Sequence, residues 1–137
     1  MALINPHINF NGNCEEAFKA YERILGGKIE GMHTFAGMPD DGKFPADWKN
    51  KIMHVSMTVH GQTLMGSDAP PGHFQKPQGL WVSLNVTSTP EAERIFKELA
   101  AGGTTIMPIQ QTFWAERFGM LIDAFGTPWM VNCHKAA

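Results

Sequence analysis

Residues 15–27 read Glu-Glu-Ala-Phe-Lys-Ala-Tyr-Glu-Arg-Ile-Leu-Gly-Gly, and residues 91–103 read Glu-Ala-Glu-Arg-Ile-Phe-Lys-Glu-Leu-Ala-Ala-Gly-Gly. Each is an amphipathic helix stopped by a glycine pair. Phe18, Tyr21 and Leu25 share a face of the first, and Ala92, Ile95, Phe96 and Leu99 share a face of the second. The segments lie 76 residues apart, as do the strand ends Phe10 and Val86. Such a degenerate repeat predicts two copies of one supersecondary unit. The start signals agree. Asn13 with Glu16 reads as a capping box, and Thr89 caps the second helix with Pro90 in its first turn.

Outward from the helices the sequence alternates. Pro6–Phe10 and Leu80–Val86 place apolar side chains at every second position, the pattern of half-buried strands. Three further strands are expected after each helix: Lys28–Phe35, Lys51–His60 and Gln62–Asp68, then Thr104–Thr112, Glu116–Asp123 and Thr127–His134. Tight hairpin turns are expected at Gly61 and at Phe125-Gly126. Gly61–Met65 matches Gly126–Met130 at an offset of only 65 residues, so the first copy holds extra chain, assigned to the breaker-rich loop Gly37–Asn50. Pro70, Pro71, Gly72, Pro77 and Gly79 mark Asp68–Gly79 as a linker. One domain, 1–137, is expected, made of βαβββ modules 3–68 and 79–134.

Composition narrows the partners. The 137 residues are 43% hydrophobic and 18% charged, an ordinary globular balance. A net charge of −2 gives no polyanion footprint, so nucleic acid is not expected as a partner. No run approaches the ~18 apolar residues of a membrane span, and Met1–Pro6, with neither a basic nor an apolar region, leads to no expectation of a secretion signal. A cytoplasmic protein with two reduced thiols, Cys14 and Cys133, is expected. No Gly-x-Gly-x-x-Gly, Walker loop or Gly-x-Ser-x-Gly elbow is present.

The duplicated βαβββ unit resembles the vicinal-oxygen-chelate superfamily of glyoxalase I, bleomycin-resistance and extradiol-dioxygenase proteins. The wording of Phe10–Phe18, Met53-His54-Val55, Leu64–Asp68, Phe113–Gly119 and Asp123–Met130 resembles its PhnB-like subgroup, also labelled 3-demethylubiquinone methyltransferase-like. The resemblance implies an α+β fold in which the two modules form an eight-stranded half-barrel, with the helices outside and a ligand cavity within. It also implies a homodimer. The methyltransferase label sits poorly with a chain that leaves no room for a doubly wound cofactor domain beside the repeat.

Strand alternation then sorts residues between helix side and cavity. Ile8 and Phe10 are expected under the first helix, with Asn5, His7 and Asn9 facing the cavity. Val82, Leu84 and Val86 are expected under the second, with Trp81, Ser83 and Asn85 facing it. Met53, Val55, Met57 and Val59 are expected in the core, leaving Ile52, His54, Ser56 and Thr58 inward. The resemblance puts the superfamily's metal ligands, one His and one Glu per module, at Asn5, Met65, Trp81 and Met130. None of these is a strong ligand for a hard or borderline cation, so no metal or other cofactor is expected.

The candidate catalytic residues are His7, His54 and Arg117. Either histidine can move a proton near neutrality, serve as a polar wall bonded to Asn9 or Ser56, or bind a metal. Arg117 can fork onto a carboxylate or phosphonate, or hold a hairpin through Glu116 or Asp123. Asn5, Asn9, Ser56, Met65, Trp81, Ser83, Trp114 and Met130 are expected to line the cavity, with Trp129 in the core. No carboxylate is expected there, which favours a neutral or anionic ligand. A small oxygenated or phosphonate-like metabolite, bound or acted upon, is the expected partner. Sequestration of an aromatic or drug-like compound is the other reading.

Overall fold

The structure, a computed structural model, describes residues 1–37 and 45–135. The chain divides into two compact units that meet at Gln75 and Lys76. In the first unit the order is β1 (His7–Phe10), α1 (Cys14–Leu25), β2 (Lys28–Thr34), β3 (Ile52–Val59) and β4 (Gln62–Asp68). The second unit repeats it with β5 (Val82–Val86), α2 (Thr89–Ala100), β6 (Thr104–Gln110), β7 (Ala115–Ile122) and β8 (Pro128–His134). The fold is thus α+β, two βαβββ modules, each with its own mixed sheet. The strand orders are β1-β4-β3-β2 and β5-β8-β7-β6, with the first strand parallel to the last and the other pairs antiparallel.

Of the expected loop Gly37–Asn50, residues 38–44 lie outside the described residues, and its ends form short 3-10 turns at Phe35–Gly37 and Ala46–Asn50. The hairpin at His60-Gly61 is a two-residue turn with both φ positive, as tight hairpins require. Its counterpart in the second unit is longer. Asp123 accepts the backbone N–H of Phe125 and Thr127 and closes the loop from Asp123 to Thr127.

In each unit one sheet face packs on its helix. Phe10, Phe18 and Tyr21 are fully buried in the first, meeting edge-on at centroid distances of 6.0 and 5.5 Å. Burying side chains of this size stabilises by about 1.5–3 kcal/mol each. Gly66 on β4 makes the approach possible, because a Cβ there would lie 2.5 Å from the Phe18 ring. Gly119 on β7 does the same for Phe96. Trp129 is fully buried, as expected, and donates its indole N–H to Asp123 at 2.8 Å.

Three local expectations are corrected. Asn13 makes no capping hydrogen bond, so the capping box does not form. The buried carboxylate of Asp68 caps α1 from the far end of the unit, accepting Gly12 N–H at 2.9 Å and Cys14 N–H at 3.0 Å, with Ile52 N–H at 2.8 Å. On α2 the cap is Ser88 rather than Thr89, and it accepts from Glu91 N–H. The start of β3 also reverses: Ile52 is buried and Met53 exposed. His33 pairs with His54 but Thr34 with Ile52, so Met53 is an extra residue, and the bulge turns Ile52 to the helix side.

Candidate functional site

The helix-free face of the first sheet is polar. His7 and Asn9 are exposed there while Ile8 and Phe10 are buried against α1, the parity expected of β1. Met65 pairs with His7 on one side and Ser56 on the other, so these three form a row across β1, β4 and β3. His7 and His54 come together, but not on neighbouring strands: β4 runs between β1 and β3, and the ring centroids are 5.9 Å apart at a tilt of 32°. His33 is exposed on β2 and paired with His54.

Ser67, absent from the expected lining, joins the cluster. Its Oγ lies 2.9 Å from His7 Nε2 and donates to Asn9 Oδ1 at 3.1 Å. Its position two residues after Met65 on β4 was the available signal, since it shares the face by alternation. Desolvation of the His7 ring, and then the charge of His54, hold His7 below the ordinary histidine value. The ring is thereby kept neutral and able to accept a proton near pH 7.

A carboxylate is present on this face, contrary to expectation. Glu30 accepts a 2.9 Å hydrogen bond from Thr58 Oγ1. Glu30 follows Ile29, which pairs with buried Met57, so it falls on this face in phase with Lys28, and the shift that follows brings Gly31 to the same face.

The second sheet presents a different helix-free face. Ser83 pairs with Met130 and Asn85 with Asn132, and the Asn132 amide donates to Asn85 Oδ1 at 3.2 Å. Asn132 Nδ2 also lies 3.0 Å from His134 Nε2, while its Oδ1 is buried without a partner. Phe118, paired with Asn132, meets Trp114 edge-on at 5.5 Å, and Trp114 meets Phe113 at 4.8 Å. Phe113 is 87% and Trp114 45% exposed. Trp81 is half-buried just before β5, and Asn5 is exposed before β1.

Arg117 leaves the cavity wall. It pairs with buried Cys133 on the side that packs against α2, and its Nε donates to Glu93 Oε1 on that helix at 2.8 Å. Its Nη1 donates to the backbone oxygen of Glu116. Arg117 shares this face with Gly119 and Leu121 by ordinary alternation along β7.

The strand registers also move the expected ligand positions. Met65 is opposite His7, and Met130 is opposite Ser83, so His7 and Ser83, rather than Asn5 and Trp81, stand beside the last-strand positions. The first unit thus offers an imidazole and a soft thioether, the second a hydroxyl and a thioether, and neither pair holds a carboxylate. This donor set does not fit a two-histidine, two-glutamate site for a hard or borderline divalent ion. Among the described residues no three of His, Cys, Asp and Glu gather where they could hold a metal ion. Cys14 is a packing residue: burial, then Asp68 and Glu15, push its thiol far up. No helix of the described residues is long and apolar enough to cross a membrane.

Known proteins share this architecture. Residues 2–132 match the family model described as 3-demethylubiquinone-9 3-methyltransferase. The crystal structure of protein PA1353 from Pseudomonas aeruginosa is similar at TM-score 0.90 and 47% identity, covering 99% of this chain and 100% of that one. Protein YjdN of Escherichia coli is 34% identical over 96% of this chain and 95% of its own length. A glyoxylase/bleomycin resistance protein/dioxygenase domain from Frankia shares the fold alone, at TM-score 0.68 and 13% identity over 98% of both chains. With a glyoxalase/bleomycin-resistance fold and a family match along nearly its whole length, the chain belongs to the 3-demethylubiquinone-9 3-methyltransferase family.

Proposed function

We propose that the chain binds a small oxygenated or phosphonate-like metabolite against the helix-free face of its first sheet and moves a proton on it through His7 or His54. The observation that carries this is the meeting of the two imidazoles at 5.9 Å beside Ser67 and Asn9. A neutral, partly desolvated histidine is a base matched to neutral pH, and its neighbour is a second proton carrier. The chemistry runs without the superfamily's four-ligand metal site, consistent with the thioethers of Met65 and Met130 at two of those positions. It also runs without methyl transfer, consistent with two small mixed sheets in place of a doubly wound parallel one.

The protein works as a cytoplasmic homodimer in this reading. Leu3 and Ile4, 76% and 97% exposed, supply apolar surface for a second copy to cover, and both cysteines are free and buried. A second reading, sequestration of a flat aromatic compound, is favoured by the exposed Phe113 and Trp114 beside Phe118.

Native mass spectrometry of protein equilibrated with a cell extract separates the readings. A bound small molecule lost from His7→Ala or His54→Ala but kept by Trp114→Ala supports the first. An adduct lost only from Trp114→Ala supports the second.

A further inference from the structure

The hydrogen bonds around His7 fix more than its position. A serine hydroxyl carries a single proton, and that of Ser67 is donated to Asn9 Oδ1. Ser67 Oγ can therefore only accept from His7 Nε2, 2.9 Å away, and Nε2 must carry the ring's hydrogen. A neutral imidazole has one N–H, so Nδ1 is left as a bare lone pair. Desolvation and His54 favour the neutral ring. The other groups near the ring do not compete: His54 comes from β3 at 5.9 Å, Met65 is the cross-strand neighbour on β4, and no described residue hydrogen-bonds Nδ1.

We infer that Ser67 and Asn9 are positioning residues for His7, holding it as the Nε2–H tautomer with Nδ1 as the basic atom, so that the ligand of this face presents a hydrogen-bond donor to it. The ligand class rests on the proposed function; the tautomer does not. A hydroxyl or an N–H meets the lone pair, and a group with acceptors alone is repelled by it. A hydroxy acid therefore fits where its methyl ether does not, because burying an unmatched lone pair forfeits a hydrogen bond.

Long-range 1H–15N correlation of the histidine rings tests this directly on the full chain. At a pH where His7 is neutral the wild type shows one population, protonated at Nε2 with Nδ1 bare. Ser67→Ala loses that exclusivity and shows a mixture of tautomers, and Ser67→Thr restores it. Asn9→Leu, which frees the Ser67 proton without touching the ring, gives the same mixture should Ser67→Ala fold poorly. A ring protonated at Nδ1 in the wild type, or the same single tautomer in Ser67→Ala and Asn9→Leu, overturns the positioning role. Glycolate and methoxyacetate, added in turn, then read the ligand class. Glycolate moves the Nδ1 resonance and methoxyacetate leaves it in place. Equal shifts from both, or none from either, overturn the donor requirement while the tautomer result stands on its own.

Discussion

The imidazoles of His7 and His54 lie 5.9 Å apart although the strand β4 separates β1 from β3. Side chains on one sheet face reach over an intervening strand when the residue between them leaves room. His7 then senses the charge of His54 without a bond between them.

The first consequence is a titration. His7 has a midpoint below the ordinary histidine value of about 6.5, through desolvation and then the charge of His54. The unfolded chain therefore binds this proton more readily than the folded one. The His7 contribution to stability is fully present above the unfolded value and is lost as pH falls through it towards the folded one. NMR of the ring protons should give a His7 midpoint that rises when His54 becomes Gln. His7→Gln should flatten the loss of stability on the acid side of pH 6.5.

Arg117 should prove separable from the site. Its Nε donates to Glu93 on α2, and both side chains are substantially exposed, at 30% and 54%. Replacing it with Gln should cost no more than about 1 kcal/mol, the range of surface ion pairs. The His7 and His54 ring signals should stay in place. Movement of either ring in Arg117→Gln would return the guanidinium to the site.

Asp68 carries the first unit's local order. One buried carboxylate serves three backbone N–H groups, of Gly12, Cys14 and Ile52. Asp68→Ala leaves all three unpaired and should cost about 3 kcal/mol or more, since each buried unmet donor costs about 1–3 kcal/mol. Asp68→Asn keeps an accepting oxygen and should cost less. Urea unfolding of the three proteins measures both differences.

The same residues show what was legible in the sequence. Alternation in His7–Phe10 and the two glycine-stopped helices were enough for the βαβββ order and for the face on which His7 and Asn9 stand. What escaped was non-local or out of phase. Asp68 caps a helix that begins 54 residues earlier, and no local pattern announces such a bond. Met53 sits at a register shift, where one extra residue breaks period two and turns Ile52 to the helix side. Glu30 and Arg117 stand in phase with Lys28 and Gly119, so their faces were open to alternation along β2 and β7. Ser67 was in phase, but its importance lies in a proton donated to Asn9, which is a matter of three-dimensional geometry.

The helix-free face of the first sheet as a small-molecule site is tested most directly by following the histidine ring signals during a screen of small hydroxy acids and phosphonates, with the indole signals recorded alongside. The account predicts that compounds which bind shift His7 and His54 first, and that His7→Ala weakens them by tenfold or more. Binding that moves only Trp114 while both imidazoles stay silent, or a screen in which no compound moves either histidine, would contradict it.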